Sequence, residues 1–254
     1  MAVIISIINN KGGTGKTTTT LNLAAALAIK KKKCLVIDFD GQCNLSTSLK
    51  ISGNMPAIGD VLLNLNNIKD AIVEVDGIKA IPGNENMLEI ENKMSLEPGH
   101  EYLLKESLEE LNGNMDFVLI DCPPNLGILS INSLVAADYF IVPMQTENFA
   151  FIGLDKILQL TDKVRKRLNN TIELAGILIV RQAHKTKFSQ AVFSNLENNE
   201  ILKNKLFDTI IRQDISLMEC SAFGQNIFEY APKSRGAEDY LKLANEIIKK
   251  YGKK

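Results

Sequence analysis

Apolar residues along the chain gather into short, nearly unbroken runs separated by longer stretches with helical spacing. Val3 to Ile8, Cys34 to Phe39, the run from Asp116 to Asp121, Tyr139 to Pro143 and Leu174 to Val180 are apolar at almost every position. Runs this short without alternation predict strands of a parallel sheet, covered on both faces. Between them, Thr17 to Lys30 places Leu21, Ala24, Ala25, Leu27 and Ala28 at helical intervals, and Ile157 to Leu168 reads the same way. A last helix, Ala237 to Tyr251, carries Tyr240, Leu241, Leu243, Ala244, Ile247 and Ile248 on one side. Strands alternating with helices predict an α/β fold: a mostly parallel, doubly wound sheet flanked by helices on both faces. From Ile51 to Leu111 the pattern is looser. It supports a helix near Ile58 to Leu65, a strand near Ile78 to Ile81 and a helix over Tyr102 to Leu111, with turns at Pro82-Gly83 and Pro98-Gly99. No Gly/Ser-rich or Pro-rich linker interrupts the 254 residues, so a single domain over 1–254 is expected.

The candidate chemistry sits where these strands end. Between the first strand and the first helix lies Asn10-Lys11-Gly12-Gly13-Thr14-Gly15-Lys16-Thr17-Thr18. Glycines let the backbone curl so that successive N–H groups face one anion; the helix dipole and Lys16 add positive charge, and Thr17 offers a hydroxyl to Mg2+. The ordinary phosphate-binding pattern begins with glycine; here Asn10 stands in that place and Lys11 adds a second lysine. The second strand delivers Asp38 and Asp40 to the edge where open α/β sheets bind ligands, and strand alternation turns both toward the phosphate loop. Asp121 ends the next strand and is followed by Cys122-Pro123-Pro124. That is a Walker B pattern, with an acid placed to hold the Mg2+ hydration shell opposite Thr17.

Charge and cysteine usage narrow the picture. Twenty-nine Lys plus Arg against thirty Asp plus Glu give a net charge of −1, which argues against a dedicated, strongly basic nucleic-acid binder. Two local clusters remain: Lys30 to Lys33, read chiefly as a solvated helix end, and Arg181, Lys185 and Lys187, for which a solvated loop is an equally good reading. Cys34, Cys43, Cys122 and Cys220 lack C-x-x-C spacing and read as small core residues in a reducing compartment, while His100 and His184 are too isolated for a metal site. The chain starts almost directly on a strand and holds no apolar run of about 18 residues. A cytoplasmic protein without a membrane anchor is expected.

Lys11-Gly12-Gly13-Thr14-Gly15-Lys16-Thr17-Thr18 resembles the deviant Walker A motif of the ParA/MinD family of partitioning and positioning ATPases. The resemblance covers nearly the whole chain. Ile37 to Gln42 is similar to the family's I-D-x-D-P-Q, with Gly41 where proline is usual, and Asn125 to Asp138 is similar to N-x-L-v-A-A-D. Glu219 to Gly224 and Ile227 to Gly236 resemble E-a-p-s-x-G and y-d-P-k-S-k-G-A. A ParA/Soj-type protein is thereby implied: a P-loop ATPase that dimerises on ATP, hydrolyses ATP to ADP and phosphate with Mg2+, and acts in plasmid or chromosome partitioning. Such a protein binds non-specific DNA in its ATP state, so nucleoid association is implied, and it answers to a ParB-like centromere-binding adaptor. By resemblance Lys11, Lys16 and Asp40 are catalytic, Lys11 reaching across a twofold interface to the partner's phosphates and Asp40 helping to place Mg2+ and the attacking water. Gly12, Gly13, Thr14, Gly15, Thr17 and Thr18 complete the nucleotide loop, and Thr17, Asp40 and Asp121 serve the metal.

Two stretches depart from the family. Val180 to Lys187 replaces T-x-y-d-x-R, and Thr209 to Asp214 stands for T-v-I-P-R-N, a loop that touches adenine, with Arg212 at the proline and Asp214 at the asparagine position. Asp214 can still accept from an adenine amino group. Arg212, with Arg181, Lys185 and Lys187, is also a candidate for DNA contact. A MinD-like positioning ATPase is the alternative within the fold, and it would be expected to carry an amphipathic tail beyond Tyr251, where this sequence has only Gly252-Lys253-Lys254. Relatives such as a nitrogenase iron protein or an anion-pump ATPase are disfavoured, since no cysteine pair suits a cluster or a soft metal. A non-hydrolysing, nucleotide-switched regulator is disfavoured by the presence of Lys16, Thr17, Asp40 and Asp121 together.

Overall fold

The computed structural model describes residues 2–53, 55–111, 114–147, 150–182, 199 and 202–252. Strands β1 (Val3–Ile7), β2 (Cys34–Asp38), β3 (Val73–Val75), β4 (Ile78–Ile81), β5 (Phe117–Asp121), β6 (Tyr139–Met144) and β7 (Glu173–Ile179) form one sheet in the order β3-β4-β2-β5-β1-β6-β7. Every neighbouring pair is parallel except β3 with β4. The register sets Asp121 opposite both Ile7 and Asp38, so β1, β2 and β5 end level with one another. The loops that follow these strands therefore emerge side by side at one edge of the sheet.

Helices α1 (Lys16–Ile29), α2 (Asn44–Ser48), α3 (Ile58–Leu62), α4 (Met87–Met94), α5 (Leu103–Glu109), α6 (Ile128–Ala136), α7 (Ala150–Arg167), α8 (Ser216–Ala222), α9 (Ile227–Tyr230) and α10 (Arg235–Tyr251) are distributed over both faces. Strand β5 shows why its sequence is apolar without alternation. Phe117 and Leu119 pack on one side with Leu23, Ala24, Leu243 and Ile247, whereas Val118 and Ile120 pack on the other with Ile90, Leu104, Leu129 and Leu134. Each face thus has its own core.

Helix α1 is buried between the sheet and α10, which explains its alanine content: small side chains allow close approach on both sides. Its buried polar groups are all bonded. Thr19 shares a hydrogen bond of 3.3 Å with the Tyr240 hydroxyl, Thr20 donates to the Lys16 carbonyl, and Asn22 donates to the Thr18 carbonyl while accepting from the Ile227 N–H. Ser234 caps α10 by accepting from the Ala237 N–H, and Lys249 and Lys250 meet the negative end of that helix.

Several bounds differ from the sequence expectation. Helix α10 starts two residues before its apolar face, at the Ser234 cap, and α7 begins at Ala150, seven residues ahead of Ile157. The helix expected over Ile58 to Leu65 ends at Leu62, where Asn64 takes a left-handed backbone with φ 56°. Strand β3 and helices α2 and α4 were not expected; three, five and eight residues are too short to display a period. Lys30, Lys31 and Lys33 are exposed just past α1. All four cysteines are free, and Cys34, Cys122 and Cys220 are buried. Among the described residues no helix is long and apolar enough to cross a membrane, and no cluster of His, Cys, Asp and Glu suits a metal ion on its own.

Candidate active site

The loop after β1 is tied down from three sides. Asn9 donates to the Pro143 carbonyl at 2.7 Å and accepts from the Lys11 N–H; the Thr14 hydroxyl donates to the Lys11 carbonyl; Gln145 donates to the Gly13 carbonyl at 2.8 Å. Gly13 and Gly15 take φ of 72° and 82°, the left-handed region that glycine enters without strain. Gly15 is the N-cap of α1 and supplies no side chain, which leaves the first N–H groups of the helix to face an anion.

Two buried charges meet beneath this loop. Lys16, 6% exposed, donates to the Lys11 carbonyl at 3.2 Å; burial lowers its pKa against the pull of Asp121, Cys122 and Asp40. Asp121 is fully buried, and among the described residues neither of its oxygens accepts a hydrogen bond of ordinary geometry. Burial and the neighbouring Asp38 push its pKa well up, while the Thr17 hydroxyl and Lys16, both close by, pull it down. A buried carboxylate with no hydrogen bond of ordinary geometry among the described residues is costly, and beside the Thr17 hydroxyl it fits a hard, oxygen-seeking divalent cation.

The two acids at the end of β2 part company. Asp40 lines the cavity over the loop together with Gly12, Gly13, Thr17 and Pro124, its Oδ1 held by the Gln42 N–H at 3.0 Å. Asp38 is instead turned to the start of α2, accepting from the Ser46 hydroxyl at 2.6 Å and the Ser46 N–H at 2.8 Å. Ser46 Oγ in turn accepts from the Gly83 N–H. Burial raises the Asp38 pKa despite these bonds. Alternation placed both acids on one side of the strand, but the strand ends at Asp38 and Asp40 lies in the turn beyond it.

A second cavity adjoins the first, bounded by Gly15, Thr18, Val180, Arg181, Asp214 and Met218. Arg212 also lines it, yet its guanidinium is committed elsewhere. Nε and Nη2 form a fork onto the Asp239 carboxylate at 2.7–3.1 Å, and Nη2 reaches Glu238 as well. The Arg212 N–H donates to Asp239 too. Those carboxylates raise the Arg212 pKa further. Arg212 is therefore a clamp between α10 and the segment leading into α8, with its guanidinium on Asp239 and Glu238. Asp214 is occupied as well: Oδ1 accepts from the Ser216 N–H and Oδ2 from the Gly236 N–H, and these bonds outweigh burial to lower its pKa. The Lys11 ammonium pairs with Glu147 at 2.7 Å. Lys185 and Lys187 lie outside the described residues. The sequence reading missed Asn9, Gln145 and Ser46, whose partners lie 134, 132 and 8 residues away and leave no local signature.

A family model described as an AAA domain matches residues 2–174. The sporulation initiation inhibitor protein Soj of Bacillus subtilis is 35% identical over 251 residues, covering 97% of this chain and 98% of Soj. Among solved structures, cobyrinic acid a,c-diamide synthase from Mycobacterium smegmatis, with a bound ATP analog and magnesium, is similar with a TM-score of 0.84 and 30% identity, covering 100% of this chain and 98% of the synthase. A putative plasmid partition protein from Borrelia burgdorferi bound to AMPPNP is similar with a TM-score of 0.80 and 27% identity, covering 98% of both chains. With the glycine loop, the buried Lys16 and Asp121, and the similar chromosome-partitioning ATPase Soj of Treponema pallidum, 35% identical over 256 residues and covering 100% of both chains, the chain belongs to the AAA-domain family of ParA/Soj partitioning ATPases.

Proposed function

We propose that this chain, acting as one unit over 1–254, couples MgATP hydrolysis to DNA partitioning through ATP-gated dimerisation, non-specific DNA binding and a ParB-like adaptor. It is an ATPase that takes ATP and Mg2+. The observation that carries the site assignment is the buried Asp121 carboxylate, which lacks a hydrogen bond of ordinary geometry among the described residues and lies beside the Thr17 hydroxyl and Lys16. Free N–H groups of the loop and of the first turn of α1 receive the phosphates, and Lys16 exchanges the Lys11 carbonyl for a phosphate oxygen. Thr17 and Asp121 are the residues that would hold Mg2+, which when bound offsets charge on the β- and γ-phosphate oxygens. Asp40, fixed through Oδ1 by Gln42, keeps its other oxygen to orient the attacking water.

Lys11 leaves Glu147 to meet the phosphates held by a second copy, so that hydrolysis waits for the dimer. Arg212 and Asp214 shape the wall beside the base through Asp239, Ser216 and Gly236. Of the basic residues considered for DNA, Lys185 and Lys187 carry this part of the proposal. Calorimetric titration tests the whole: Lys16→Ala should abolish MgATP binding, and an unchanged affinity would mean that the loop is not the nucleotide site.

A further inference from the structure

Arg181 stands directly after β7 with φ 54°, a left-handed backbone unfavourable for a residue that carries a side chain. Bonds on both sides hold it there: the Val180 N–H donates to the Met144 carbonyl and the Gln182 N–H to the Ile211 carbonyl. The bend leaves Arg181 at the border of two cavities. On one side lie Gly12, Gly13, Lys16, Thr17 and Asp40; on the other lie Asp214 and Met218, with Gly15 and Thr18 common to both. Arg181 is exposed, and among the described residues it makes no hydrogen bond or ion pair. Its charge nevertheless reaches the buried Tyr240 hydroxyl behind α1, whose pKa burial raises and whose bond to Thr19 and nearness to Arg181 lower. Arg165 and Arg212, by contrast, spend their guanidinium groups on the Ile172 carbonyl and on Asp239.

An adenine nucleotide with its terminal phosphates over the glycine loop and its base beside Asp214 must pass its α-phosphate through the border at Gly15 and Thr18. We propose that the Arg181 guanidinium takes a non-bridging α-phosphate oxygen of that nucleotide, which makes it a nucleotide-binding residue rather than part of a DNA surface. The proposal rests on the ATPase reading above. A planar fork with no other partner among the described residues suits a phosphate better than a flexible ammonium. Because ATP and ADP share the α-phosphate, the contact strengthens both equally and does not report the γ-phosphate.

The test is calorimetric titration of the full chain with MgATP and MgADP. Arg181→Gln should weaken both by the same factor, about 10- to 100-fold, as expected for one charge-assisted hydrogen-bonded contact. Arg181→Lys should recover part of the loss, and the melting temperature of the nucleotide-free variants should match the parent. Wild-type affinity in Arg181→Gln, or a loss confined to ATP, would overturn the assignment; so would a loss of duplex-DNA binding at unchanged nucleotide affinity. Failure of the unaltered chain to bind MgADP would instead sink the ATPase reading itself.

Discussion

The Lys11 ammonium lies 2.7 Å from the Glu147 carboxylate, with the two side chains 61% and 51% exposed. An ion pair so open to water contributes about 0–1 kcal/mol. Such a pair yields readily to a phosphate. Lys11→Ala should therefore cost less than about 1 kcal/mol of stability and keep monomeric MgATP binding, yet lose ATP-dependent dimerisation. Light scattering on an Asp40→Ala background separates the cases: a double variant that still dimerises on ATP would reduce Lys11 to a loop residue.

Asp40→Ala removes a group that faces the cavity but leaves the loop and its bonds in place. Single-turnover hydrolysis should fall by about 10²- to 10⁴-fold, with MgATP affinity nearly unchanged. A wild-type rate in rapid-quench measurements would strip Asp40 of its assigned role.

Asp121→Asn should stabilise the metal-free chain. Because burial raises the folded-state pKa of Asp121 above 3.8, the folded protein binds more protons than the unfolded one between the two values, and its stability falls as pH rises through that window. Removing the charge should return roughly 1–3 kcal/mol at neutral pH, and the advantage should vanish below about pH 3.8. Denaturant titrations without Mg2+ at several pH values check this; the same variant should lose the melting shift that MgADP gives the parent. A variant less stable than the parent at neutral pH would contradict the unpaired state of Asp121.

Arg212→Gln tests the clamp. Asp239, 4% exposed, would keep only the N–H of residue 212 from its present partners on that side. Since Arg212 itself is 38% exposed, the loss should be about 1–2 kcal/mol in denaturant titration. Duplex-DNA affinity should not change; a selective loss of DNA binding with stability intact would restore Arg212 to a surface role.

How far the sequence carried these assignments depended on how local each one is. The central strands, α1 and α10 were legible because their burial is written in consecutive or periodic apolar residues such as Phe117 to Ile120. The glycine loop was legible because left-handed turns at Gly13 and Gly15 demand that residue type. Asp38 and Asp40 show the limit. Alternation fixes the face of a strand but not where the strand stops, and only the Ser46 hydroxyl reveals that Asp38 serves α2. Arg212 shows a second limit: its bond to Asp239 spans 27 residues and leaves no local signature in the sequence.

The bonds from Thr19 to Tyr240 and from Asn22 to Ile227 join the helix that begins at the phosphate loop to the final stretch of the chain. During synthesis the loop emerges well before α10, and α1 has no cover on its outer face until α10 has left the ribosome. Nucleotide binding then waits for a residue 221 positions after Thr19, and a product cut short before Tyr240 displays the motif without the support that holds it in shape. Synthesis through Tyr240 is thereby a condition for its first catalytic cycle.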